Sequence, residues 1–197
     1  MSAIEWIATA FGLACVILTI RQSAWCWPAG LVQVLLYIFV FFEARLYSDV
    51  ILHVIYVVLS IYGWWAWTRG GAGGGELPAT RATSRAIAMW TAIAAVATII
   101  IGAAMRKYTS ADWPFWDAAV LVLSLIAQWL MARKILESWV FWIAVDVLAI
   151  GLYAVKGLYP TTALYAVFLV LAITGFFEWK RKMKSPGARE PAVAQPA

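Results

Sequence analysis

The chain states nearly the same pattern twice, 112 residues apart. Trp27 corresponds to Trp139, Leu46-Tyr47 to Leu158-Tyr159, Leu52 to Leu164 and Ile61 to Ile173. The register then continues through Gly63 and Gly175, Trp67 and Trp179, and Arg69 and Arg181, with Arg21 and Arg133 extending it upstream. A constant offset through rare Trp, Gly and Arg positions means that two halves of the chain face the same folding problem. In a membrane chain, an internal repeat is also the signature of a transporter with its substrate site between the repeats.

The chain is membrane-like. Of its 197 residues, 64% are hydrophobic and only 13% charged, against roughly half and a quarter in soluble domains. The apolar residues form seven blocks, 3–20, 26–43, 48–68, 86–105, 114–132, 139–156 and 159–179. Each approaches the ~20 residues a spanning helix needs. Short polar connectors divide them, such as Arg21-Gln22-Ser23, Glu43-Ala44-Arg45 and Lys156-Gly157. Thirteen Trp and eight Tyr recur at block ends, as interfacial belts require. The N-terminus lacks a basic region before its first apolar block, so that block reads as a span and not as a cleaved signal.

The predicted organisation is all-α and integral to the membrane, in a parallel 3+1+3 repeat. Residues 1–69 and 106–182 form the two three-helix copies, and the span at 86–105 is the extra helix. Three spans are an odd number, so one inserted span restores a common orientation. Residues 70–85 begin Gly-Gly-Ala-Gly-Gly-Gly, lack the Lys-Ser/Thr of a phosphate loop, and read as a flexible cytoplasmic linker. Residues 183–197 read as a disordered cytoplasmic tail.

Charge placement sets the expected orientation. Arg45, Arg106, Lys107 and Lys156 fall on one side, and the other eleven of the 15 basic residues on the opposite side. The positive side is cytoplasmic, giving an outside N-terminus and an inside C-terminus. Despite a formal charge of +5, basic residues confined to connectors argue against nucleic-acid binding. Cys15 and Cys26 lack metal-ligand spacing and read as small hydrophobes. No cofactor or metal site is expected.

Polar residues inside spans are costly and mark cavities or helix contacts. Asp117, Ser124 and Gln128 fall within about 40° on span 5, and Trp139, Trp142, Asp146 and Tyr153 within about 60° on span 6. On span 3, Asp49, His53, Tyr56 and Ser60 share a stripe of about 60°. Gln33 and Tyr37 on span 2 and Thr162 and Tyr165 on span 7 add to these. Such faces enclose a wet, aromatic-lined cavity. Each also has a plainer reading: a cap for Asp117 or Asp49, a helix-to-helix bond for His53, a bond to their own helix for Ser124 and Ser60. Asp146 is the sharpest candidate. It lies mid-span beside two Trp, with no Lys or Arg at its depth in any span, so a cationic substrate stacked on Trp139 and Trp142 suits it.

Several runs carry a family resemblance. They are Ser60-Ile61-Tyr62-Gly63-Trp64-Trp65-Ala66-Trp67, Trp113-Pro114-Phe115-Trp116-Asp117, the stretch from Gln128 to Lys134, Glu137-Ser138-Trp139-Val140-Phe141-Trp142, and Lys156-Gly157-Leu158-Tyr159. Together they resemble the PnuC family of nicotinamide riboside transporters over most of the chain. The resemblance implies a full-length SWEET-like fold, a homotrimer in the bacterial inner membrane, and facilitated diffusion of a vitamin precursor trapped by cytoplasmic phosphorylation. It maps the family's Trp-x-x-Trp motif onto Trp139 and Trp142 and its following polar position, Asn in some members, onto Asp146.

The expected substrate-binding set is therefore Trp139, Trp142, Asp146, Gln128, Gln33, His53, Tyr56, Ser124, Tyr153 and Tyr165. The expected partner is a cationic aromatic vitamin or nucleoside, with thiamine, and less favourably neutral riboflavin, as alternatives to nicotinamide riboside. A membrane-embedded enzyme would need paired ligands or an activated nucleophile, which a lone His does not supply. A structural subunit would turn its polar stripes onto other helices.

Overall fold

The computed structural model describes residues 3–43, 47–109 and 112–184. Seven helices fill the predicted blocks: α1 (Ala3–Ile20), α2 (Cys26–Glu43), α3 (Tyr47–Arg69), α4 (Ser84–Tyr108), α5 (Pro114–Ala132), α6 (Ser138–Val155) and α7 (Tyr159–Lys184). All seven are long and apolar enough to cross a bilayer, where backbone groups must be satisfied within the segment. Of the tail expected at 183–197, Met183 and Lys184 belong to α7 and the rest lies outside the described residues, as do residues 44–46 of the second connector and the Asp49 side chain.

Local chemistry sets the helix ends. The Thr83 hydroxyl accepts from Ala86 N at 3.2 Å and caps α4, while Pro114 opens α5 where its missing N–H costs nothing. Gly157 takes φ 73° after α6, and Leu158 N donates to Tyr153 O at 2.8 Å, a glycine-dependent stop. The α1–α2 and α5–α6 corners turn through Gln22 (φ 62°) and Lys134 (φ 54°), two non-glycine residues with left-handed backbone. Their bonds match: Gln22 N to Thr19 O and Lys134 N to Met131 O are both 2.9 Å, and Ser23 N to Leu18 O and Ile135 N to Leu130 O are both 3.0 Å.

Helix contacts run α1–α2–α3–α5–α6–α7 and return from α7 to α1, closing a ring of six; α4 packs outside it on α5. The core at the basic end of this ring is four indoles. Trp27 and Trp67 meet edge-on at 5.6 Å and 85°, Trp139 and Trp179 at 5.7 Å and 85°, and Trp67 and Trp179 join the pairs at 5.8 Å. Trp67 Nε1 donates to Met131 O of α5 at 3.0 Å, and Trp179 Nε1 donates to Thr19 O of α1 at 3.0 Å. Trp27 lies against Gly63 and Trp139 against Gly175, where any Cβ would fall 2.5 to 2.6 Å from the ring.

The segment between α3 and α4 differs from the flexible linker expected. Its glycines form a turn, but beyond them Leu77 N donates to Trp67 O at 3.1 Å. Thr80 exchanges backbone bonds with the α5–α6 corner, its N–H donating to Lys134 O at 3.0 Å and its carbonyl accepting from Leu136 N at 2.9 Å. The buried Glu137 carboxylate accepts from Ala82 N at 2.7 Å and from Arg81 Nε at 3.1 Å. Composition reported the glycines and not these anchors. Beside them Lys134 is buried with Nζ 4.7 Å above the Trp67 ring, and burial holds its ammonium below the usual lysine range. Glu137→Ala strips the Ala82 N–H of its partner, a loss of about 1–3 kcal/mol. We expect a lower melting temperature and faster proteolysis between residues 76 and 83; an unchanged cleavage pattern would show that the segment is held by other means.

Candidate functional site

Five of the expected residues gather from four helices of the ring. The Ser124 hydroxyl on α5 donates to Val120 O at 2.7 Å, the bond to its own helix anticipated above. Its oxygen also pairs with the Tyr56 hydroxyl of α3. Tyr153 of α6 and Tyr165 of α7 have ring centroids 5.3 Å apart and share a hydroxyl hydrogen bond. Tyr165 lies within electrostatic reach of both Tyr56 and Asp146. Asp146 itself is 4% exposed, and among the described residues no Lys or Arg pairs with it.

The other expected residues surround this group less evenly. Trp142 is half-buried, one helical turn before Asp146, between the indole core and a second apolar cluster of Val122, Ile126, Leu130 and Phe141. Trp139 belongs to the indole core, is 2% exposed, and has its ring N–H unpartnered. Gln128 is half-buried one turn after Ser124. Gln33 lies over Gly12 of α1, 2.7 Å from where a Cβ would stand. His53 sits in an aromatic nest, 4.9 Å from Phe41, 5.9 Å from Tyr37 and 5.8 Å from Tyr56 between ring centroids.

Two expectations at the span ends are sharpened. Asp117 forms an ion pair with Lys156 at 2.9 Å, joining the start of α5 to the end of α6. A groove of about 430 Å³ runs between α2 and α3, lined by Trp27, Leu31, Ser60, Trp64, Trp65 and Arg69 among others. It contains none of the ten expected site residues, so Ser60 belongs to the groove and not to the polar group. Sequence reasoning took Trp27, Trp67 and Trp179 mainly as interfacial anchors. Their place in the core was signalled by the repeat, which holds all three in register with glycine.

The nicotinamide mononucleotide transporter family matches residues 2–181. This chain belongs to that family. Within it, the chain is 28% identical over 219 residues to the nicotinamide riboside transporter PnuC of Escherichia coli (strain K12), covering 96% of this chain and 90% of the relative. It is 27% identical over 178 residues to the riboflavin/roseoflavin transporter RibM of Streptomyces davaonensis, covering 89% and 83%. The crystal structure of the vitamin B3 transporter PnuC superposes with a TM-score of 0.73 at 24% identity, over 92% of this chain and 83% of that one. The fold is thus that of a PnuC-type transporter. As a member of the nicotinamide mononucleotide transporter family, the chain is a multi-pass transporter of the bacterial inner membrane and not an enzyme.

Proposed function

We propose that this transporter carries nicotinamide riboside by facilitated diffusion, with cytoplasmic phosphorylation trapping the product. The observation that carries the reading is Asp146, a buried carboxylate that no Lys or Arg pairs with among the described residues, one helical turn after Trp142 and within electrostatic reach of Tyr165. A pyridinium ring supplies the missing positive charge, and an indole face attracts it further. In this reading the ring stacks on Trp142 or Trp139, and Asp146 and Gln128 bind the cation or the ribose. Ser124, Tyr153 and Tyr165 extend that side of the pocket, and Gln33, His53 and Tyr56 complete the other. The phosphorylated mononucleotide fits less well, because a phosphate calls for Arg or Lys and the spans carry none at this depth.

The same reading extends to architecture. Two parallel three-helix repeats, α1–α3 and α5–α7, flank α4 and rock against one another around the site. In support, the indole bonds, the glycine notches and the left-handed corners all recur 112 residues apart. The N-terminus faces outward and the C-terminus inward, supported by the eleven basic residues at one end. Assembly as a homotrimer completes the proposal.

A second reading, riboflavin, has support in the RibM relative, whose identity is within one point of the riboside transporter's. Thiamine shares the cationic ring and is tested alongside. Calorimetry with nicotinamide riboside, its mononucleotide, thiamine and riboflavin is expected to give the strongest binding with the riboside. A cation–π contact contributes about 0.5–2 kcal/mol, so Trp142→Ala should weaken that binding roughly 2- to 30-fold with an unchanged melting temperature. Stronger binding of riboflavin, or an indifferent Trp142→Ala, would overturn the assignment.

A further inference from the structure

The groove between α2 and α3 lies apart from the polar group and faces away from the interior of the ring. Its α3 wall includes Ile61 and Trp65, which are 59% and 53% exposed. At ~100° per residue these stand nearly opposite Tyr56, which meets Ser124 of α5, and Trp67, which enters the indole core. An outward face on a spanning helix meets lipid. Arg69 is the last residue of α3 and follows Ser60 by nine positions, so the groove runs about 14 Å along the helix. Its inner part is apolar, between Leu31 of α2 and Ile61 of α3. Toward Arg69 it is walled by Trp64 and Trp65, and Trp25 meets Trp64 at 5.8 Å between ring centroids. Indoles settle at the level of lipid headgroups.

Charge distinguishes this groove from the matching place in the second repeat. Arg69 is exposed, is the one charged residue lining the groove, and joins no ion pair among the described residues. Its counterpart 112 residues on, Arg181, is paired with Glu178 at 2.7 Å. The position corresponding to Glu178 in the first repeat is Ala66. One copy therefore neutralises its arginine internally, and the other leaves a guanidinium at the mouth of an apolar groove. A guanidinium matches the oxygens of a phosphate, and hydrocarbon drawn into the groove adds to binding with each methylene buried.

We propose that this groove holds one anionic phospholipid per chain, its phosphate on Arg69 and an acyl chain against Leu31 and Ile61. The site is separate from the vitamin-binding set and stands whichever vitamin is carried. Trp27, buried against Gly63, forms part of the same lining, so the lipid braces α2 on α3 where their packing is closest. In the orientation proposed above, the lipid comes from the cytoplasmic leaflet.

Native mass spectrometry of the purified full chain, titrated in detergent with phosphatidylglycerol or phosphatidylcholine, tests the site. About one phosphatidylglycerol per chain should resist removal, and phosphatidylcholine, whose choline offsets its phosphate, should not. Arg69→Gln should weaken phosphatidylglycerol binding roughly 10- to 100-fold, as loss of a charged hydrogen-bonding partner does. Arg181→Gln removes the same charge at the same level of the other repeat. It should cost no more than the roughly fivefold effect of one basic residue near an anionic surface. Ile61→Trp fills the groove without altering any charge, and should also release the lipid. Equal losses from the two arginine variants would reduce the effect to surface charge and overturn the site. Equal retention of the two lipids overturns it, as does a phosphatidylglycerol that survives both Arg69→Gln and Ile61→Trp. Lipid absent from the intact oligomer but bound by the dissociated chain also overturns the proposal, and assigns the groove to a second copy.

Discussion

Replacing Trp179 by alanine is expected to cost about 3–5 kcal/mol of folding stability, the range for removing a fully buried Trp. Nothing of this side chain is exposed. Its ring touches Trp67 at 5.8 Å and Trp139 at 5.7 Å, and its N–H satisfies Thr19 O at 3.0 Å. The substitution therefore removes two aromatic contacts and one of the two bonds to Thr19 O, which keeps its bond from Gln22 N at 2.9 Å. Trp179→Phe separates the two effects, since the ring largely remains and only the hydrogen bond goes, at about 0.5–1.5 kcal/mol. Trp67→Ala should behave alike, because its N–H meets Met131 O at the same 3.0 Å. Denaturant titration in detergent reads all three. A Trp179→Ala protein as stable as the parent would mean that the indole core does not hold the halves together.

The second large effect comes from adding matter. A Cβ at Gly63 would stand 2.5 Å from three ring atoms of Trp27, and one at Gly175 would stand 2.6 Å from Trp139. Neither ring can swing aside, because each is buried and held edge-on by its partner, Trp67 or Trp179. Overpacking of this kind costs about 1–3 kcal/mol. Gly63→Ala and Gly175→Ala should each lower the melting temperature, by similar amounts, and the double substitution should prevent recovery of monodisperse protein. Alanine tolerated at both sites would show that α2–α3 and α6–α7 spread apart freely.

Much of this architecture was legible because hydropathy and period act locally. Seven apolar blocks gave seven helices, and the 112-residue register pointed to Trp27, Gly63, Trp67 and their counterparts before any contact was known. Charge at the span ends was legible only as type. Asp117 read as a cap or ligand, and its pairing with Lys156 needed the relative placement of α5 and α6. The anchored linker was missed for the same reason: Thr80 and Glu137 act through the backbone of a distant corner, which composition does not encode. At the candidate site, Asp146 and Trp142 stood out by depth and helical spacing. The nest of Phe41 and Tyr37 around His53 required two helices to be brought together.

The paired indole bonds have a kinematic consequence. Trp27 seated against Gly63 and Trp139 against Gly175 hold α2 close on α3 and α6 close on α7. The donors from Trp67 and Trp179 then cross the two seams at one end of the ring. In the rocking motion proposed above, two bodies joined at two matched points have little choice of path. On that proposal they tilt about the line between those points, like the jaws of a clothes-peg about its spring, and the far end of the bundle travels furthest for each degree of tilt.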